Sequence, residues 1–195
     1  MFPKLPVLTD NTIDDVVFTV EQVARYLHKL PNHNCNTPDL IPYAVLKNCA
    51  DTISPVLTEL YRLSLDSGQL PTLWKTSTVI PLHKKGKVND PLNYRPISLT
   101  SVICRVFERI LADSISEYLN SNNLFSPSQF GFIKSRSTNT QLLEMLEDFY
   151  DALTSKKSID CVYIDYQKAF DKVPRYALLR KLESLGIREE TFGLD

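Results

Sequence analysis

The segment Cys161-Val162-Tyr163-Ile164-Asp165-Tyr166-Gln167-Lys168-Ala169-Phe170-Asp171 delivers a carboxylate at the C-terminal end of an apolar, β-branched run. Open α/β sheets bind their ligands outside such strand ends. A carboxylate there is the oxygen donor that a hard divalent cation prefers, and such a cation usually bridges to substrate phosphates. The same side chain could instead cap the turn that follows. Asp171 lies past that turn, should point elsewhere, and reads as structural.

A second group is cationic. Pro96 keeps Arg95 out of the α region, so Tyr94-Arg95-Pro96-Ile97 reads as extended chain displaying a guanidinium, an arrangement that suits binding. Lys84-Lys85-Gly86-Lys87 reads as a basic turn. From Trp74 to Arg109 there are seven basic residues (Lys75, Lys84, Lys85, Lys87, Arg95, Arg105, Arg109) and two acidic ones (Asp90, Glu108). From Asp10 to Leu70 the balance reverses, with eight acidic and four basic residues. The net charge of -1, taken alone, argues weakly against a nucleic-acid partner. The distribution leaves two readings, a phosphate-facing patch or a solvated face.

Other chemistries find less support. Cys35, Cys49, Cys104 and Cys161 are scattered, and nothing near His33 and Cys35 completes a zinc set. Reduced, buried thiols in an intracellular protein fit that scatter. No apolar run reaches the ~18 residues of a membrane span, and the opening Met1-Phe2-Pro3-Lys4-Leu5-Pro6 lacks the apolar stretch of a secretory signal. The chain's 195 residues are 43% apolar and 23% charged, an ordinary globular composition that argues against disorder.

The elements that must position these residues follow from periodicity. Thr19 to Leu30 has amphipathic spacing (Val20, Val23, Ala24, Leu27) with Thr19 as N-cap. Pro42 to Ala50 reads as a short helix. Pro55 opens a longer one that Gly68 ends, with Val56, Leu57, Leu60, Leu63 and Ser64 as its buried face. Thr76 to Leu82 reads as a strand, and a second extended segment runs through Ile97. Ser101 to Leu119 is helical, with Arg105 and Arg109 one turn apart. Asn120 to Gly131 reads as a loop. Thr138 to Leu153 is a helix with a core stripe of Leu142, Leu143, Leu146, Phe149 and Leu153. Ile159 to Ile164 reads as a buried strand, and a last helix runs from Pro174 to Gly186. Asp14-Asp15 suits a helix N-terminal turn. Helices on a sheet with non-local pairing make the expected class mixed α/β (α+β).

With these residues in view, Tyr163-Ile164-Asp165-Tyr166-Gln167-Lys168-Ala169-Phe170-Asp171-Lys172-Val173 resembles the first catalytic motif of the reverse transcriptases of non-LTR (jockey-like) retrotransposons. Further blocks are similar in the family's order. Val79-Ile80-Pro81-Leu82-His83-Lys84-Lys85-Gly86 looks like the fingers strand and basic turn. Asn93-Tyr94-Arg95-Pro96-Ile97-Ser98-Leu99 looks like the YRPISL block, followed by Phe107-Glu108-Arg109-Ile110. Gln129-Phe130-Gly131-Phe132 with Ser135-Arg136-Ser137-Thr138 looks like the QxGF…RST block. Two departures stand out: Thr37 and Leu40 flank Pro38-Asp39 where the family usually has glycines, and Ile133 stands where many relatives carry Arg.

The resemblance implies the fingers and the start of the palm of a right-hand polymerase, incomplete. It divides the chain into an N-terminal extension (residues 1–18), fingers (19–153) and palm start (154–195). It implies RNA-directed DNA synthesis, with an RNA template, a DNA primer and deoxynucleoside triphosphates as partners, no membrane, and a cytoplasmic or nuclear setting inside the cell. In the intact family two magnesium ions clamp the attacking oxygen and the leaving pyrophosphate. By position Asp165 would be the first metal-binding carboxylate, and the backbone carbonyl of Tyr166 a further ligand. Phe170 would be the steric gate against ribonucleotides, although read without the family it is a core residue. Lys84 and Arg95 would contact the incoming triphosphate, as point charge and guanidinium fork. Gln129 and Arg136 would face the template, although Gln129 could equally fix its own loop.

The family's later palm motifs, with their paired aspartates, are expected to be absent from this polypeptide. A two-metal site needs several carboxylates converging on one space, so the polypeptide alone should not polymerise. An unpaired palm strand should leave an apolar edge open and favour self-association. A non-catalytic module binding RNA or a hybrid, and an inert degenerate element, are the alternative readings.

Overall fold

Thr19 starts the first helix as a cap should: its hydroxyl accepts a bond from Gln22 N at 3.2 Å, and α1 follows over Val20–His28. The computed structural model describes residues 5–13, 15–32, 37–167 and 169–187. The His33–Cys35 pair, Asp14 and Lys168 lie outside those residues. After α1 come α2 (Tyr43–Asn48), α3 (Ala50–Ser67), β1 (Thr78–His83), β2 (Tyr94–Leu99), α4 (Val102–Ser121), α5 (Thr138–Thr154) and α6 (Arg175–Ser184). Single 3-10 turns occupy Thr72–Lys75 and Pro91–Asn93. The expected mixed class is present, and α1, α4 and the β1–β2 hairpin fall within two or three residues of their expected ends.

The core is helical and aromatic. Phe107 of α4 lies 5.3 Å, ring centroid to ring centroid, from each of Phe18, Tyr61 and Trp74. Such ring clusters combine large buried area with favourable edge and offset contacts. Tyr61 is fully enclosed, yet its hydroxyl donates to Ile103 O at 2.8 Å, so the buried polar atom is satisfied. Val16 and Phe18 belong to this same core, and Leu8 N and Ile13 N donate to the carbonyls of Ser184 and Gly186 at 2.8 and 3.1 Å. Leu8 and Ile13 are thus tied to the end of α6 and the turn after it.

Five expectations are corrected. Helix α3 starts at Ala50, a turn before Pro55, because Ala50 and Ser54 are both wholly buried and carry the helix into the core. Pro55 sits on the exposed side, where its missing N–H leaves a carbonyl to water. The inward face of α3 is Ala50, Ser54, Leu57, Thr58, Tyr61 and Ser64, while Val56 and Leu63 are exposed. Ser54 and Thr58 can be buried because each hydroxyl donates one turn back, to Ala50 O at 2.6 Å and Ser54 O at 2.7 Å.

The apolar stripe of α5 is a surface, not a core: Leu142, Leu143, Leu146 and Leu153 are all more than half exposed. The helix itself is well started by a reciprocal Ser137–Thr140 capping box. Residues 159–164 form no strand either. A strand is defined by a ladder partner, and among the described residues only β1 and β2 pair; Val162, Tyr163 and Ile164 stand exposed. Finally, Asp15 lies outside any regular element, ahead of α1, rather than in a helix N-terminal turn.

Candidate nucleotide and template site

Antiparallel pairing places Leu82 opposite Arg95 and His83 opposite Tyr94. A further bond, from Lys84 N to Asn93 O at 2.8 Å, carries the ladder one step past β1. Directly opposed residues share a face of the sheet and alternate residues return to it. Lys84 and Arg95 therefore lie on one face, as diagonal neighbours about 7–8 Å apart at the backbone. Both are exposed. His83 and Tyr94 take the opposite face, with ring centroids 5.1 Å apart.

The basic turn is held by its own hydrogen bonds. Gly86 adopts φ +93°, and a Cβ there would come within 2.7 Å of Asn93 Nδ2. That amide donates to Lys87 O at 2.9 Å, Tyr94 Oη donates to Val88 O at 2.8 Å, and Asp90 Oδ1 accepts from Leu92 N at 3.0 Å. Lys84, Lys85 and Lys87 consequently project from a fixed loop, and a polyphosphate meets charges already concentrated.

Two members of the basic set are engaged elsewhere. Arg105 donates to Tyr43 Oη at 2.8 Å and lies over that ring, while Arg109 Nε sits 3.3 Å from Asp113 Oδ1. Arg109 is exposed but ion-paired, so the exposed cations of the set outside these two contacts are Lys75, the three loop lysines and Arg95.

Asp165 follows the 159–164 segment, which has no regular secondary structure, and its side chain is exposed, open to solvent rather than turned into packing. Among the described residues no three His, Cys, Asp or Glu side chains group as a metal site. One carboxylate with the Tyr166 carbonyl supplies part of a cation's shell and does not fit a two-ion centre by itself. No hydrogen bond or ion pair among the described residues joins Asp165 to Lys84 or Arg95.

Phe170 is 83% exposed and meets Phe132 edge-on, ring centroids 6.0 Å apart at 82°. Gln129 Nε2 donates to Gly131 O at 3.3 Å, a bond within its own loop. Arg136 braces that loop: its Nη1 donates to the carbonyls of Ser126 (3.1 Å), Pro127 (2.6 Å) and Gln129 (2.6 Å), and its guanidinium lies over Phe130. Sequence reasoning singled out Phe170 and missed Phe132 and Asn93. The signal for Asn93 was the glycine it packs on; for Phe132 no spacing rule pairs residues so far apart in the chain.

Comparison with known proteins joins these observations. Residues 82–193, more than half of the chain, match the family model described as "Reverse transcriptase (RNA-dependent DNA polymerase)". A probable RNA-directed DNA polymerase from transposon BS of Drosophila melanogaster is 29% identical over 167 residues, covering 85% of this chain and 18% of the relative. The RNA-directed DNA polymerase from mobile element jockey of the same organism is 29% identical over 168 residues, covering 86% and 18%. The retrovirus-related Pol polyprotein from type-1 retrotransposable element R2 of Popillia japonica is 32% identical over 132 residues, covering 67% and 18%. The chain thus spans less than a fifth of the length of these relatives. Polymerases of this kind depend on metal ions and act on nucleic acid and nucleotides, and no helix among the described residues is long and apolar enough to cross a membrane. The match spans the basic turn, the Arg95 strand and the Asp165 motif together, and the chain belongs to the reverse transcriptase (RNA-dependent DNA polymerase) family, where it is similar to the polymerases of jockey-like non-LTR retrotransposons.

Proposed function

We propose that this chain contributes the fingers and the first palm carboxylate of an RNA-directed DNA polymerase, and that its hairpin holds the triphosphate of an incoming deoxynucleotide. One observation carries this reading: the register puts Lys84 and Arg95 on the same exposed face, beside a loop that its own hydrogen bonds keep in shape. Lys84 supplies a point charge and Arg95 a planar fork suited to two phosphate oxygens. The division at residues 19–153 and 154–195 into fingers and palm start belongs to the same proposal.

Asp165 and the Tyr166 carbonyl would hold part of a magnesium shell, and bound magnesium would stabilise charge developing on the phosphates. Phe170 would lie against the sugar and disfavour a 2′-hydroxyl. Gln129 would contact the template directly. Arg136 would act on the template by fixing the loop that carries Gln129, since its Nη1 is occupied by three carbonyls. RNA as template places the work inside the cell, in cytoplasm or nucleus.

A second reading has its own observation: among the described residues no further carboxylate groups with Asp165 as a metal site. The 195-residue polypeptide would then bind RNA or an RNA–DNA hybrid through its basic face without synthesis. One experiment addresses both. Binding of a labelled primer–template with dGTP should weaken with salt and fall about tenfold or more in the K84E/R95E double variant. A primer-extension assay with the same chain should yield no template-dependent product. Binding that ignores both charges would overturn the assignment of the hairpin, and extension would overturn the non-catalytic reading.

A further inference from the structure

Phe132 is unusual on two counts. Its side chain is 93% exposed, and its backbone sits at φ +63°, the left-handed region that bulky residues seldom adopt. Strain of this kind persists where surrounding structure enforces it, and it clusters at ligand-binding sites. The enforcement is visible: Arg136 grips the carbonyls of Ser126, Pro127 and Gln129, and its guanidinium lies over Phe130, two residues from the strained position. The loop so fixed presents the Phe132 ring to one described aromatic partner, Phe170, at 6.0 Å and 82°. That is the edge-to-face geometry aromatic pairs prefer.

Phe170 lies in a turn and is itself 83% exposed, so little else confines its ring. A ring free to swing makes a poor wall, and a site loose by about 1 Å loses its discrimination. We propose that Phe132 is a positioning residue for Phe170: its edge contact fixes the Phe170 ring and thereby sets the preference for deoxyribonucleoside over ribonucleoside triphosphates. The proposal rests on Phe170 acting as the gate at the sugar. It assigns the loop at 126–136 a part in sugar selection, beyond any contact with the template.

The test is the ratio of dissociation constants for dGTP and GTP, measured by calorimetric titration of the full 195-residue chain in magnesium. The wild-type chain should favour dGTP. Phe170→Ala and Phe132→Ala should each lower the preference, by about tenfold or to unity, and Phe132→Tyr should keep it because the ring edge remains. Phe132→Gly separates selectivity from folding: glycine accepts the positive φ, so Tm should hold or rise while the preference is lost. If Phe170→Ala abolishes the preference and either Phe132→Ala or Phe132→Gly leaves it intact, the positioning role is wrong and the gate stands. If the wild-type chain shows no preference, or Phe170→Ala retains it, the gate itself is wrong and the role of Phe132 falls with it.

Discussion

Pro81 of β1 stands directly opposite Pro96 of β2. The bond from Lys84 N to Asn93 O fixes the phase of the ladder, so that Leu82–Arg95 and Ile80–Ile97 are the hydrogen-bonded pairs and Pro81–Pro96 lies between them. At such a position the peptide nitrogen faces away from the partner strand. Each outer edge of this two-stranded sheet therefore lacks a donor near its middle. Proline costs nothing inside the ladder here and blunts both edges against a third strand. Replacing both with valine should preserve the register and restore the missing donors. The P81V/P96V variant is expected to form dimers or larger species at concentrations where the wild-type hairpin adds none, as read by light scattering. A variant that associates no more than wild type would show that the prolines do not protect the edges.

The acid sensitivity of the fold should trace in part to Asp39. Partial burial raises the pKa of its carboxyl, but bonds from Ser101 Oγ, Thr37 Oγ1 and Ile41 N outweigh that and leave it lowered. Ser101 and Thr37 are both nearly fully buried, so the carboxylate satisfies hydroxyls that water does not reach. A lowered folded pKa gives stability that is present above the unfolded value of about 3.9 and is lost as pH falls through the folded one. Denaturant midpoints measured downward from about pH 4 should decline more steeply for wild type than for Asp39→Ala. At neutral pH the same substitution should cost about 1–3 kcal/mol, through the stranded hydroxyls.

Gly86→Ala strikes the basic turn twice. The residue has φ +93°, and the added methyl would sit 2.7 Å from the Asn93 amide that pins Lys87. The turn should reopen, with faster amide exchange across residues 84–93 and weaker primer–template binding. The melting temperature should barely move, since the helical core holds none of these residues. A variant with wild-type binding would show that the loop's shape does not matter to the charge it carries.

The leucine stripe of α5 should drive self-association. Leu142, Leu143, Leu146 and Leu153 expose a continuous apolar strip next in sequence to the exposed 159–164 segment. Sedimentation of the wild-type chain should show mass rising with concentration, and L142E/L146E should abolish that rise with no change in thermal midpoint. Concentration-independent monomer for the wild type would rule the strip out as an association surface.

How far the letters led depends on what each element needs from afar. Thr19 as cap, Gly68 as stop and the strand through Arg95 rest on near neighbours, and each was legible. The inner face of α3 was not, because Ser54 and Thr58 look polar until their hydroxyls are seen to bond one turn back. Pro55 misled for a related reason: burial of Ala50 outweighed the preference of proline for a first turn. Leu142 and Ile164 carry the letters of buried residues, and periodicity reports what a face is suited to, not whether something covers it. At the candidate site, the types and order of Lys84, Arg95, Asp165 and Phe170 were readable. The Phe132–Phe170 contact and the internal use of Arg105 and Arg136 were not, since both depend on distances across the fold.

The backbone bonds from Leu8 to Ser184 and from Ile13 to Gly186 tie the earliest described residues to nearly the last, and Ile187 is itself buried. A ribosome extrudes the amino end long before its partners exist. The aromatic cluster around Phe107 can gather early, yet its closing seam must wait until α6 has left the exit tunnel. Through that interval the apolar side chains that this seam covers stay open to water, the condition under which partly folded chains aggregate.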